Sequence, residues 1–310
     1  MFSLKEYDST LKADWDQVVV QSKNGSFLHT VDYFKYHESR FEDASVLIYK
    51  KNKPVAVFPA NRSGEIVYSH AGLTYAGLIY LTELHCKNVL DVFELLIEHY
   101  RAQGARELIY KCIPSVFTKY PAEEDQYALF RLGGQLVRRD VSSVIELSKI
   151  PKLSDSRKCV IRKAEKNDVA FVSDVGASCF HNLLSEVLMK FGAQPVHSKD
   201  ELELLMSRFP QQLKIFGAEG AGELMAATLV FDFGDTVHTQ YMAASANGRQ
   251  VGALDFLLHQ LISNEYKDRR FFSFGISTED AGRHLNEGLI AQKEGFGARA
   301  IVHDFYKLEI

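Results

Sequence analysis

The chain of 310 residues is 46% hydrophobic and 25% charged, with a net charge of −4 and a pI near 6.3. It exceeds the usual size of one compact core, so two domains are expected, and its acidic balance excludes a general positive field for DNA or an anionic membrane. Four scattered cysteines without metal spacing, a polar N-terminus and no apolar run near the roughly 20 residues of a span point to a soluble cytoplasmic protein, with no metal and no membrane span.

The first half opens with an amphipathic pattern over residues 9–23, a turn at Asn24-Gly25-Ser26 and a second short helix over 31–41. Strands over 45–51 and 53–62 meet at a tight polar turn around Asn52, which predicts a hairpin. An extended run over 65–80 follows, then a long helix over 86–104 with Gly104 as its stop, a strand over 106–114, a helix over 122–134 and a strand over 135–147.

The second half repeats this order. After a basic segment over 150–169, helices are predicted over 174–190 and 198–208, and strands over 212–219, 223–233 and 236–245. A helix over 252–268, a strand over 270–277, a helix over 288–297 and a strand over 298–308 complete it. The halves end alike, "YALFRLGGQLVRRDVSSVIEL" against "GLIAQKEGFGARAIVHDFYKL", each a short helix, a glycine stop and an alternating strand. The expected architecture is α/β (α+β), a duplicated unit whose mixed, mostly antiparallel sheet is flanked by helices. The expected domains are 1–147, a basic linker helix over 148–170, and 171–310, which carries the site.

Five segments stand out: "SHAGLTYAGL" (69–78), "RKCVIRKA" (157–164), "VHTQYMAAS" (237–245), "FGISTEDAGRHLNEGL" (274–289) and "KEGFGAR" (293–299). With them, the order of elements resembles the GNAT acyltransferase fold. Two such units in one chain resemble the Fem peptidyltransferases and the FemAB-like acyltransferases that accompany polysaccharide loci. The resemblance implies an N-acyltransferase that moves an acyl or aminoacyl group, from acyl-CoA or from aminoacyl-tRNA, to an amine of a cell-envelope polysaccharide precursor. The acceptor would be a small-molecule or lipid-linked amino sugar, or a peptide, and tRNA would be a partner only with the second donor. A reading of another class is a duplicated fold kept as a non-catalytic binding or assembly protein.

In a GNAT unit the fourth strand splays from the fifth, and the donor's pyrophosphate lies on the N-terminus of the next helix, where free N–H groups and the helix dipole favour an anion. Arg249, Gln250, Gly252 and Ala253 stand in that loop here; Arg249-x-x-Gly252 matches, whereas Leu254 replaces the last small residue. An ordinary strand–helix turn at Asn247-Gly248 is the structural alternative.

Alternation along "VHTQYMAAS" puts His238, Gln240 and Met242 on one face and Thr239, Tyr241 and Ala243 on the other. His238 is a candidate to take a proton from an attacking ammonium, with Gln240 beside it; a buried histidine bonded to a neighbouring strand is the alternative. Tyr241 is a candidate substrate contact. Lys293 falls in the last turn of its helix, before glycines at 295 and 297, where a cation favours the helix end by roughly 0.3–1 kcal/mol. The resemblance instead implies that Lys293 faces the reaction centre and offsets the charge of the tetrahedral intermediate. The first half has Phe130 at that place, which favours a site in the second domain.

Ser277, Thr278 and Glu279 lie at the end of a strand and Asn286 before the following helix, so all are cleft candidates; a capping box at Ser277 or Thr278 is the alternative. In the first half Ser69, His70, Thr74 and Tyr75 are more polar than a core strand needs and are expected to help hold the acceptor; a twisted strand with a bulge at Gly72 explains the segment's glycines equally well. The basic run Arg157, Lys158, Arg162, Lys163 and Lys166 suits an anionic acceptor, with Arg162 as the chosen contact, or is a solvated helix face.

Overall fold

A computed structural model describes residues 1–149, 152–190 and 192–310, so residues 150 and 151 of the expected linker lie outside it. Strand β1 (Phe2–Glu6) leads into α1 (Lys12–Gln21), whose buried Trp15, Val18 and Val19 follow the spacing of one helix face. Helix α2 (Val31–Phe34) continues as a 3-10 turn, and β2 (Glu42–Asp43), β3 (Val46–Lys50) and β4 (Lys53–Phe58) follow. The β3–β4 hairpin turns on Lys51 and Asn52, with φ of 50° and 63°, as expected of a two-residue turn matched to strand twist.

The strand expected over 53–62 is divided into β4 and the short β5 (Asn61–Ser63), and β6 (Ile66–Tyr68) and β7 (Ile79–Tyr80) replace the single extended run expected over 65–80. Helix α3 (Cys86–Ala102) stops at Gly104, whose φ is 81°, and β8 (Glu107–Lys111), α4 (Glu124–Arg131) and β9 (Gln135–Glu146) close the half.

Helix α5 (Asp155–Lys166) begins at Ser154, whose hydroxyl accepts from the Arg157 N–H. Then come β10 (Ala170–Val172), α6 (Ala177–Met189), α7 (Lys199–Arg208), β11 (Leu213–Gly220), β12 (Glu223–Asp232) and β13 (Thr236–Ala244). Helices α8 (Ala246–Val251) and α9 (Ala253–Gln260) precede β14 (Phe271–Ile276), the two-residue strands β15 (Thr278–Glu279) and β16 (His284–Leu285), α10 (Glu287–Gly295) and β17 (Arg299–Glu309).

The chain divides into one unit of residues 1–140, 280–283 and 302–310 and another of 141–279 and 284–301. Strands β9 and β17 each give residues to both units, so boundaries at 147 and 171 do not describe the division. Alternation within a strand tells which face is buried, not which sheet the strand joins.

In the first unit β1, β3, β4 and β7 form one sheet in that order, and β17 lies antiparallel to β8, which runs parallel to β6. In the second unit the order is β10-β11-β12-β13-β14-β9. Every neighbouring pair there is antiparallel except β13 with β14. Helix α9 packs along β11 to β13, α5 packs on α9, and α6 packs along β12 and β13. Phe216, Val230, Val237, Leu257, Leu261, Phe272 and Phe296 are among the apolar side chains that fill the core between them.

Both units contain the same short parallel rung. Ile66, Val67 and Tyr68 face Glu107, Leu108 and Ile109 in the first; Thr236, Val237 and His238 face Phe271, Phe272 and Ser273 in the second. Beyond three residues the strands part, and this matched register is firmer evidence of duplication than the order of elements alone.

Candidate active site

The second unit builds its site where β13 and β14 part. Past the His238–Ser273 rung, β13 runs on beside β12 alone, while β14 bends toward β9 through a bulge: Ser273 faces Val144, but the next register pair is Ile276 with Ser142. Gly275 sits in the bulge with φ 75°, and a Cβ there would lie 3.2 Å from His238 Cε1. Only glycine fits both that backbone and that approach.

The carbonyls freed by the bulge are taken up by Lys293. Its Nζ donates to Gly275 O at 2.9 Å and Ile276 O at 2.7 Å. The side chain of Lys293 is buried, with 3% of the residue exposed, and burial pushes its pKa down from 10.5 to about 8. Among the described residues no carboxylate forms an ion pair with it.

A second bulge corrects the expected alternation of β13. Thr239 faces Val230 and Tyr241 faces Leu229, so Gln240 is an extra residue outside the register, and the three-and-three division of 238–243 between two faces fails there. The Gln240 Oε1 is buried and unpartnered. Tyr241 OH lies 2.7 Å from His197 Nδ1, and burial pushes the tyrosine up to about 12. His197 precedes the capping box of Ser198 and Glu201, and no spacing in the sequence ties it to Tyr241. His238 takes the buried arrangement weighed as its alternative, Nδ1 being 3.1 Å from Ser273 Oγ on the neighbouring strand.

Ser277 is 1% exposed and its hydroxyl is unpartnered; so is that of Ser142, which sequence reasoning missed. The capping role falls to Asn286, not to Ser277 or Thr278: Asn286 Oδ1 accepts from Leu289 N at 3.0 Å, and Nδ2 donates to Glu279 Oε1 at 2.8 Å. Gly297, with φ 95°, ends α10. Gly295 instead gives α5 room, since a Cβ there would lie 3.0 Å from Arg157 Cγ.

The predicted donor loop divides. Arg249 and Gln250 are exposed, with Arg249 Nη1 folded back onto Ala244 O at 2.8 Å. Gly252 (φ 84°) and Ala253 are buried under α5: a Cβ at 252 would lie 2.4 Å from Val160 Cγ1, and Arg157 is paired with Asp255. Gly252 also donates its N–H to Gly248 O, and both residues are buried at the α5–α9 contact. Arg162 is exposed on α5, as are Lys158, Lys163 and Lys166.

In the first unit Ser69, His70 and Tyr75 are buried. Ser69 Oγ accepts from Lys111 N at 2.8 Å, Tyr75 stacks on Phe117 with centroids 4.3 Å apart, and burial pushes His70 down to about 3. Lys111 stands two residues past its parallel rung, as Gly275 does in the other unit, and its Nζ donates to the carbonyls of His70, Ala71 and Leu73 at 3.2, 2.9 and 2.7 Å. The place left to a glycine in the second unit is filled by a lysine in the first, and the three predicted acceptor contacts lie buried in that unit.

A cavity of about 420 Å³ in the second unit, lined by Asp174, Met206, Lys214, Phe216 and Glu265 among others, gathers none of the predicted site residues. Among the described residues no group of three or more His, Cys, Asp or Glu could hold a metal ion, and no helix is long and apolar enough to cross a membrane.

Residues 161–281 match the acetyltransferase (GNAT) domain, a segment that includes the splay and ends before Lys293. No curated protein matches the sequence. Among solved structures, FemX is similar over 99% of this chain and 97% of its own, with 9% identity and a TM-score of 0.69. The C-terminal domain of a protein assigned as a lysylphosphatidylglycerol synthetase from Agrobacterium fabrum covers 97% and 93%, with 12% identity and a TM-score of 0.63. A tandem GNAT protein from the clavulanic acid biosynthesis pathway covers 100% and 98%, with 11% identity and a TM-score of 0.54. The fold is thus that of the GNAT superfamily in its tandem, FemAB-like form.

Proposed function

We propose that the second unit is an N-acyltransferase centre that moves an acyl or aminoacyl group to an amine of a cell-envelope polysaccharide precursor, an amino sugar free or lipid-linked, or a peptide. The observation that carries this reading is Lys293, a buried lysine without a counter-ion among the described residues, set on the bulge where β13 and β14 part, in a unit that matches an acetyltransferase domain. An attacking amine and a donor carbonyl meet in that gap, and the extra residue Gln240 leaves strand N–H groups of β13 to hold the carbonyl oxygen. No covalent enzyme intermediate is needed. Gln240 Oε1 and the Ser277 hydroxyl, buried and unpartnered, serve as acceptors for substrate donors, with Tyr241 next to Gln240 as a further contact.

The acetyltransferase match supports an acyl-CoA donor, held through the exposed Arg249 and Gln250. The burial of Gly252 and Ala253 supports the alternative, an aminoacyl-tRNA, with Arg162 and its neighbours on α5 against phosphates. Both donors place the chemistry in the cytoplasm. The envelope acceptor rests on the resemblance of "RKCVIRKA" and "KEGFGAR" to the FemAB-like group. Titration calorimetry with acetyl-CoA and longer acyl-CoA thioesters tests the donor. Saturable binding that weakens in Arg249→Ala supports the thioester, and no binding at millimolar ligand removes it. The aminoacyl-tRNA alternative predicts retention of charged tRNA that falls steeply with salt.

The non-catalytic reading draws on one observation: the two carbonyl bonds of Lys293 are what a purely structural lysine would make. It predicts that replacing Lys293 alters stability and leaves any transfer rate unchanged.

A further inference from the structure

An ammonium has three N–H donors beyond its own carbon; an unprotonated amine has two and a lone pair. At Lys293 two donors are used, on Gly275 O and Ile276 O, and both acceptors are backbone carbonyls that cannot move without undoing the bulge. The third valence has no protein partner among the described residues. A lysine placed to act as a fixed cation ordinarily keeps a carboxylate near it, because an unpaired buried charge is costly. Among the described residues none is within ion-pair distance, and two carbonyl acceptors match the two N–H donors of the neutral amine.

We propose that Lys293 is the proton carrier of the transfer reaction, taking the proton of the attacking nitrogen and returning it to the departing oxygen or sulfur. This rests on the acyltransferase reading above and departs from the fixed-cation role that the family resemblance implies. The neutral acceptor amine forms a C–N bond to the donor carbonyl carbon, whose π electrons move to oxygen. The nitrogen, now positive, gives its proton to the lone pair of Lys293. The C–O or C–S bond then breaks as the carbonyl re-forms, and the leaving group takes that proton from the Lys293 ammonium, which restores the enzyme.

The surroundings fit a group that changes its charge. On β13 stands His238, bonded to Ser273; on α5 stands Arg157, whose charge is answered by Asp255. Glu279 is engaged by Asn286, and Glu287 and Glu294 lie on the helix of Lys293 itself without reaching its Nζ. Burial alone displaces the lysine, to about 8, which is where a general base works near neutral pH. His238, the sequence candidate for this role, sits closed in the rung by its bond to Ser273.

Two measurements test the assignment. In the first, the Nζ groups of protein labelled with 15N-lysine are titrated by NMR, with Lys293→Arg identifying the resonance. The expected result is that the resonance lost in Lys293→Arg titrates near pH 8, apart from that of Lys111, which burial also lowers to about 8, and a Lys293 that stays charged to pH 10 overturns the proposal whatever its cause. In the second, transfer from acetyl-CoA to glucosamine is followed from pH 6 to 9.5 for wild type and Lys293→Arg. The proton carrier predicts a rate that rises through pH 8 and a loss of about 100-fold or more in Lys293→Arg, which keeps its charge. A fixed cation predicts the reverse, a rate that falls through pH 8 and a mild effect of arginine, and that outcome overturns the proton role while leaving the acyltransferase reading intact. No transfer from acyl-CoA or charged tRNA by the wild type overturns both. Because Lys293→Arg is bulkier, Lys293→Ala with added methylamine supplies a further readout: partial rescue by the small amine is expected, and no rescue in a folded variant counts against the role.

Discussion

Lys293 Nζ and the Gly275 carbonyl are 2.9 Å apart, so the residue by which β14 leaves its register is held by a lysine that reaches it from another element. The bulge lies beside His238, and the amine that fixes it is bonded to the same glycine. Shape and chemistry at this point therefore depend on one pair of residues.

Gly275→Ala tests the shape. An alanine must hold φ 75° and place its Cβ 3.2 Å from His238 Cε1. The expected cost is about 1–3 kcal/mol in urea unfolding, with transfer activity reduced further than stability explains, because the bulge carbonyls lose their place. An unchanged midpoint with full activity would show that the bulge is not needed.

Gly252→Ala tests the covering of the predicted donor loop. Its φ of 84° and the 2.4 Å approach to Val160 predict a loss of about 2 kcal/mol or more. Val160→Ala relieves one contact but not the carbonyl of residue 160, which lies 2.9 Å from the same Cβ position, so the double variant recovers only part of the loss.

Acid should destabilise the first unit through its buried histidines. Burial holds His29 and His303 at about 4 and His70 at about 3, against an ordinary value of 6.5. Protonation favours the unfolded chain, so their stabilisation is complete above pH 6.5 and is lost as pH falls toward 4, roughly 3 kcal/mol each for His29 and His303 at full effect. Asp125 acts the other way: burial raises it from 3.8 to about 6, so its contribution is complete below pH 3.8 and is lost as pH rises toward 6. Urea midpoints should fall between pH 7 and pH 5, and Asp125→Asn should steepen that fall. A midpoint that rises on acidification contradicts the assignment.

Much of the fold was legible because its signals are local. The hairpin at Asn52, the stop at Gly104 and the matched ends of the halves follow from turn chemistry and periodicity. The exchange of β9 and β17 between units was not, since a strand's pattern names its buried face and not its neighbour. The place of Lys293 in the last turn of its helix was legible from the glycines after it, although Gly295 proves to serve packing against Arg157 and only Gly297 turns the chain. His197, Ser142 and the covering of Gly252 by Val160 carried no signal, because each depends on residues more than 40 positions apart meeting in space. The bulge at Gln240 likewise could not be told from strict alternation, which is identical in sequence until the partner strand is known.

The measurement that bears most directly on the central claim is mass-spectrometric detection of the N-acylated product from an acyl donor and an amino sugar, with wild type and Lys293→Met compared at equal folded concentration. The account predicts product from wild type and a loss of at least about 100-fold in Lys293→Met, with a lowered melting temperature, since methionine leaves the carbonyls of Gly275 and Ile276 without their donor. Equal rates in the two proteins would contradict it.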